Sequence, residues 1–183
     1  MRRWQLLVSV LLALWAGTAA AGTSIGVGVF GGTSVPIVQD DNGTGSQFGL
    51  RAPVNLIPFL TVEPFFARSS LGSGELDAGG FTYERSGFDV TTFGVNAALG
   101  SLGLLSGFSF YPYAGIASYK LTRDGSEDVS EVGYNFGLGF GISPIPVVAL
   151  NLRGEFVMVA TGDTSRKFAN VTLGATYKLF SLP

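Results

Sequence analysis

From Glu131 to Ile142 the chain alternates with a period of two. Val132, Tyr134, Phe136, Leu138, Phe140 and Ile142 fall on one side, and Glu131, Gly133, Asn135, Gly137, Gly139 and Gly141 on the other. That period puts the two sets on opposite faces of a β-strand and leaves no stripe for an amphipathic helix. The second face is the constraint. On a barrel surrounded by water it would face solvent and carry many Lys, Glu and Asp. Here it carries mostly glycine, which suits a narrow interior with the bulky apolar face turned outward.

The same pattern recurs along the chain. Eight candidate strands are expected, at 23–32, 46–55, 59–68, 87–99, 108–120, 131–142, 147–159 and 167–179. In the first, Ile25, Val27 and Val29 oppose Ser24, Gly26 and Gly28. In the second, Phe48, Leu50 and Val54 oppose Gln47, Gly49 and Arg51. The seventh sets Leu150, Leu152, Phe156 and Met158 against Asn151, Arg153 and Glu155, and the eighth sets Val171, Leu173, Ala175, Tyr177 and Leu179 against Asn170, Thr172, Thr176 and Lys178. Each is close to the 9–11 residues that a tilted membrane strand needs.

Charged residues are 13 % of the chain, about half the ~25 % of soluble domains. Residues 1–21 read as a secretory signal: Arg2 and Arg3, an apolar run from Trp4 to Ala16, then Ala19-Ala20-Ala21 as a cleavage site. Beyond it no apolar stretch is long enough to cross a bilayer as a helix. A chain of this hydropathy without a membrane helix must close its backbone hydrogen bonds in a barrel. The expected organisation is a signal peptide at 1–21 and one barrel domain at 22–183. Without Arg2 and Arg3, nine basic residues meet 13 acidic ones, so no basic face invites nucleic acid. The absence of cysteine means that an exported chain would be held without disulfides.

The connections alternate in character. Thr33–Gly45, Ser69–Ser86, Leu121–Ser130 and Ala160–Arg166 are polar, whereas Asn55–Pro58, Gly100–Gly107 and Ser143–Pro146 are apolar. Four longer outer loops and three short inner turns are what an up-and-down barrel with both termini inside requires.

Tyr111-Pro112-Tyr113-Ala114-Gly115-Ile116-Ala117, the Gly133–Gly141 stretch with Asn151-Leu152-Arg153-Gly154-Glu155-Phe156, and Gly174-Ala175-Thr176-Tyr177-Lys178-Leu179 together resemble the opacity-type and OmpA-like small outer-membrane β-barrels. The resemblance covers essentially all of 22–183. It implies an eight-stranded antiparallel up-and-down transmembrane β-barrel in the outer membrane of a Gram-negative bacterium. It also implies contact with outer-membrane lipid and lipopolysaccharide, and delivery by periplasmic chaperones to the barrel assembly machinery. The family tends to end on an aromatic residue. Here Leu179 holds that place and Phe180-Ser181-Leu182-Pro183 follow.

No residue of the chain is histidine. That removes the general base on which barrel hydrolases and acyl transferases rely. No G-x-S-x-G elbow or metal-ligand cluster is found, so no enzyme, cofactor or metal is expected. Gly26-Val27-Gly28-Val29-Phe30-Gly31 matches G-x-G-x-x-G, but no helix opens at the third glycine as a dinucleotide site needs. Asp124-Gly125-Ser126-Glu127-Asp128 lacks the ligand spacing of a calcium loop and reads as a solvated rim.

The informative charges face inward. Arg51, Glu63, Arg153, Glu155 and Lys178 are expected to form an interior ion-pair network that plugs the lumen, because an unpaired charge in so narrow a space carries a large desolvation cost. If the second hairpin turns near Ile57, Arg51 and Glu63 stand directly opposite. The expected function is a non-enzymatic barrel with four surface loops in a structural or surface-interaction role. Two alternatives remain open: a small-solute channel gated by the inward pairs, and a secreted soluble β-barrel that binds an apolar ligand.

Overall fold

A computed structural model of the chain describes residues 23–37, 42–57, 59–78, 81–85, 87–100, 107–122, 128–161 and 164–181. The expected signal at 1–21 and Asp124–Glu127 lie outside them. The described residues form ten strands: β1 Ser24–Ile37, β2 Asn42–Arg51, β3 Val54–Ile57, β4 Leu60–Ala78, β5 Phe81–Arg85, β6 Phe88–Ala98, β7 Phe108–Thr122, β8 Val129–Ile145, β9 Val148–Thr161 and β10 Thr164–Ser181. No described helix is long and apolar enough to cross a membrane.

The strands run antiparallel in the order β10-β9-β8-β7-β6-β4-β2-β1, and β3 lies between β1 and β4 past the end of β2. The sheet then closes on itself. β10 pairs with β1 from Ser24↔Ser181 to Ile37↔Lys167. Closure matters because an open edge leaves a row of unpaired N–H and C=O groups. Only β5 stands off the ring, paired to the far part of β4 from Gly74↔Arg85 to Ala78↔Phe81. β4 and β5 thus project as a two-stranded ribbon.

β2 and β3 are interrupted at Ala52-Pro53. Proline has no N–H for a sheet ladder, so a strand breaks or bulges there. The gap is still bonded on both sides: the Gly26 N–H donates to the Pro53 carbonyl and the Ala52 N–H to the Pro64 carbonyl, both at 2.9 Å. The β8–β9 connection is a tight one, with Ile145 paired to Val148 across Pro146-Val147.

The strands overrun the expected boundaries at one end. The polar stretches at 33–45 and 69–86 are largely strand, filled by the ends of β1 and β2 and by β4 and β5. Short runs broken by Gly, Ser and Pro carry too little alternation there to mark a strand. The backbone pairing persists all the same.

Inside and outside are inverted relative to a water-soluble domain. Phe93, Phe48, Tyr134, Phe136, Leu173 and Leu179 are all exposed, Leu173 at 66 %. Glu63, Arg51, Asn96, Asn135, Asn151 and Arg153 are buried, Glu63 at 1 %. The expected interior of small polar groups holds only for part of the lumen. Towards the β1–β2, β4–β5, β7–β8 and β9–β10 connections, it is filled by Phe65, Leu71, Phe88, Val90, Tyr119, Leu121, Val157, Val159 and Phe168. Runs such as Phe65-Phe66 and Val157-Met158-Val159 are apolar on both faces, so alternation gives no sign of which side chain turns inward.

The inward glycines have a specific use. On β7, Tyr111 and Tyr113 stand opposite Gly139 and Gly137 of β8. A Cβ on Gly139 would run into the Tyr111 ring, and one on Gly137 would lie 2.8 Å from that of Tyr113. Each ring lies over a glycine because no other residue leaves it room.

Candidate functional site

The charged centre of the lumen is built from three strands that sequence distance keeps far apart. Glu63 comes from β4, Arg51 from β2 and Arg153 from β9. Alternation turns all three inward, and the closed ring brings them to one level. Arg153 grips Glu63 with a fork of two bonds, Nη1 to Oε1 at 2.5 Å and Nη2 to Oε2 at 2.7 Å. Two parallel charge-assisted bonds are the strongest arrangement open to this pair. The third nitrogen of Arg153, Nε, bonds the Tyr111 hydroxyl at 3.0 Å, which in turn donates to Asn151 Oδ1 at 2.9 Å. The guanidinium also lies over the Tyr113 and Tyr111 rings, at 5.0 and 5.4 Å from their centroids. This charge is therefore met by a carboxylate, a hydroxyl and two aromatic faces, as a group removed from water requires.

Arg51 is held differently. Its Nε lies 3.9 Å from Glu63 Oε2, an ion pair without a hydrogen bond, and its guanidinium lies over the Phe30 ring at 5.6 Å. Gly174 leaves it space, since a Cβ there would collide with Nη2. Arg51 and Glu63 were expected to stand opposite one another. Instead Arg51 pairs with Phe65, while Glu63 pairs with Asn96 of β6. The turn lies past Ile57, which shifts the partner of Arg51 by two residues and keeps it on the same face. The side chains still meet, along the diagonal.

Glu155 is inward on β9 and is hydrogen-bonded by amides. It accepts from Asn135 Nδ2 and Asn170 Nδ2, both at 2.9 Å. Asn135 Nδ2 also donates to Asn96 Oδ1 at 2.8 Å, so amides link Glu155 towards Glu63. These asparagines escape a search for charges. Their inward positions are legible from alternation, but their partnership depends on which strands meet at one height.

Lys178 stands apart. It pairs with Gly26 near the termini, and its backbone N–H donates to the Val147 carbonyl at 2.8 Å. Its side chain makes no ion pair among the described residues. The structure thus brings together Arg51, Glu63 and Arg153, links Glu155 to them through amides, and leaves Lys178 outside.

Beside this cluster is a cavity of about 20 Å³ lined by Gln47, Arg51, Glu63, Tyr113, Glu155 and Thr172, among others. That is room for about one water. Among the described residues no group of three His, Cys, Asp or Glu could hold a metal ion.

No protein-family model matches the chain, and no curated protein matches it in sequence. Solved structures do match in fold. The chain is similar to the Neisserial surface protein A, NspA, at a TM-score of 0.66 and 15 % identity over 86 % of this chain and 99 % of that one. It is similar to a major outer membrane protein from Thermus thermophilus at a TM-score of 0.59 and 15 % identity, with the same coverage. The N-terminal β-barrel domain of Pseudomonas aeruginosa OprF gives a TM-score of 0.54 and 12 % identity over 85 % of this chain and 97 % of that one. At these identities the likeness is one of fold.

Proposed function

We propose that the chain is an outer-membrane β-barrel of the opacity-type and OmpA-like kind, exported behind residues 1–21. It would be a non-enzymatic scaffold that holds its outer connections at the bacterial surface in a structural or surface-interaction role. Taken as one interrupted stave, β2 and β3 make the ring eight-membered. The observation that carries this reading is the inversion of polarity. Large apolar side chains are exposed from β1 round to β10, while arginine, glutamate and asparagine are buried in the lumen. In water such a surface would aggregate, whereas in hydrocarbon it is the favoured one. Near the termini, Phe59, Phe108, Phe110 and Tyr177 are exposed as well, in keeping with aromatic residues at a membrane boundary. Within this scaffold the Arg51–Glu63–Arg153 cluster acts as an internal staple across β2, β4 and β9. The similar structures, a surface protein and a major outer membrane protein, agree with it.

The test is a gel shift on bacterial outer membranes solubilised in mild detergent. Unboiled protein should migrate apart from the boiled form, because a closed barrel resists the detergent when cold. Recovery in the soluble periplasm with a single heat-independent band would overturn the reading and favour a soluble β-domain.

A further inference from the structure

We propose that the barrier to ions in this barrel is the apolar layer near the β4–β5 and β7–β8 connections, and not the ion cluster beneath it. The lumen has two chemistries stacked along its axis. The charged level holds Arg51, Glu63 and Arg153 with their amide and hydroxyl partners. These groups are polar, and the cavity beside them has room for about one water.

The level above is mainly apolar, with Ser34, Gln47, Ser69 and Thr92 as scattered buried polar side chains beside it. Val90 and Val159 are completely buried, Val157 nearly so, and Phe65, Tyr119 and Phe168 close round them. These side chains come from β4, β6, β7, β9 and β10, and Phe30 packs against them from β1. The layer therefore crosses the lumen from wall to wall. Tyr119 and Phe168 meet edge to face, with centroids 6.2 Å apart. A Cβ on Gly133 of β8 would lie 2.8 Å from the Tyr119 ring, so that wall is closed by the ring itself. An ion crossing this layer would lose its hydration against valine and aromatic side chains that offer no ligand, and would meet only scattered groups such as Ser69 and Thr92. Hydrophobic constrictions of this kind exclude water as well as ions.

Two consequences separate this assignment from a gate made of ion pairs. Removing the Glu63–Arg153 pair should not open a path, because the apolar layer remains. Wetting the layer should open one with every central ion pair intact. The experiment uses the full chain refolded into planar phosphatidylcholine bilayers in potassium chloride, with each variant first checked for the heat-dependent gel shift. The layer is altered as Val90→Asn with Val159→Asn, which keeps side-chain size and adds polarity. A second version, Phe65→Ala with Phe168→Ala, removes bulk instead and serves if the asparagines prevent folding. The charges are altered as Glu63→Gln with Arg153→Met.

The expected result is a flat baseline for the unaltered chain and the charge variant, and discrete current steps for a folded layer variant. A folded layer variant as silent as the unaltered chain overturns the proposal, as do steps from the charge variant. The inference rests on the membrane-embedded reading. A chain that neither inserts nor shifts on heating defeats that reading and this proposal together, whereas inserted protein with the reverse pattern of currents defeats this proposal alone.

Discussion

Glu63 receives both terminal nitrogens of Arg153 and lies beside Arg51, so its removal leaves two buried cations with one lost carboxylate. Glu63→Ala is expected to destabilise the barrel by about 3–5 kcal/mol, as breaking one side of a buried pair does. Urea midpoints in lipid vesicles check this. Glu63→Leu combined with Arg153→Met should cost less than Glu63→Ala alone, because no forked partner is then left bare. Glycines can be separated in the same way. Gly139→Ala drives a Cβ into the Tyr111 ring and should cost about 1–3 kcal/mol. Gly154→Ala meets nothing within 4 Å and should stay within about 0.5 kcal/mol of the parent. At the rim, Lys120 Nζ lies 2.7 Å from Asp128 Oδ2, and this hydrogen bond, with one from Thr122, holds the Asp128 carboxyl below its ordinary 3.8. A depressed carboxyl contributes stability above its unfolded pKa and loses it as pH falls through the folded one. The contribution is therefore complete at neutral pH and gone in strong acid. In an NMR titration Lys120→Ala should return Asp128 towards 3.8, with little change in the urea midpoint because the pair is exposed to water.

Among the elements, the β4–β5 ribbon adds nothing to ring closure. The ring contacts of β4 end at Leu71↔Phe88 and Ser73↔Asn42. Replacing the segment between Gly74 and Arg85 by a short turn should leave the heat-dependent gel shift unchanged, and loss of the shift would show that the ribbon supports the ring. Strand positions were legible in the sequence where large and small residues alternate, as in β8. They were not legible in the ribbon, where the runs Glu75–Ala78 and Phe81–Arg85 are short and set between glycines. Nor was the break at Ala52-Pro53 foreseen within the second strand, although its proline is the physical cause. Register was the other gap. A turn placed near Ile57 predicts Arg51 opposite Glu63, and the actual turn moves that partner to Phe65. A displacement of two residues preserves the face and so leaves no trace in the hydrophobic pattern.

For the whole molecule, inversion of polarity was legible from single strands, because each carries it locally. The contents of the upper lumen were not. Phe65, Val90, Val157 and Phe168 look alike from the sequence whether they turn outward or meet each other, and only closure decides. The candidate site shows the same division: alternation turns Arg51, Glu63, Arg153 and Glu155 inward, but only the wrapped ring chooses Arg153 as the main partner of Glu63 and puts Lys178 elsewhere. Closure also sets an order in time. The seam joins Ser24 to Ser181, the first strand to the last, so the ring cannot shut until the final strand has arrived. Until then the free edge of β1 is a bare template for any passing strand, and the sheet keeps an open edge until its last residues are in place.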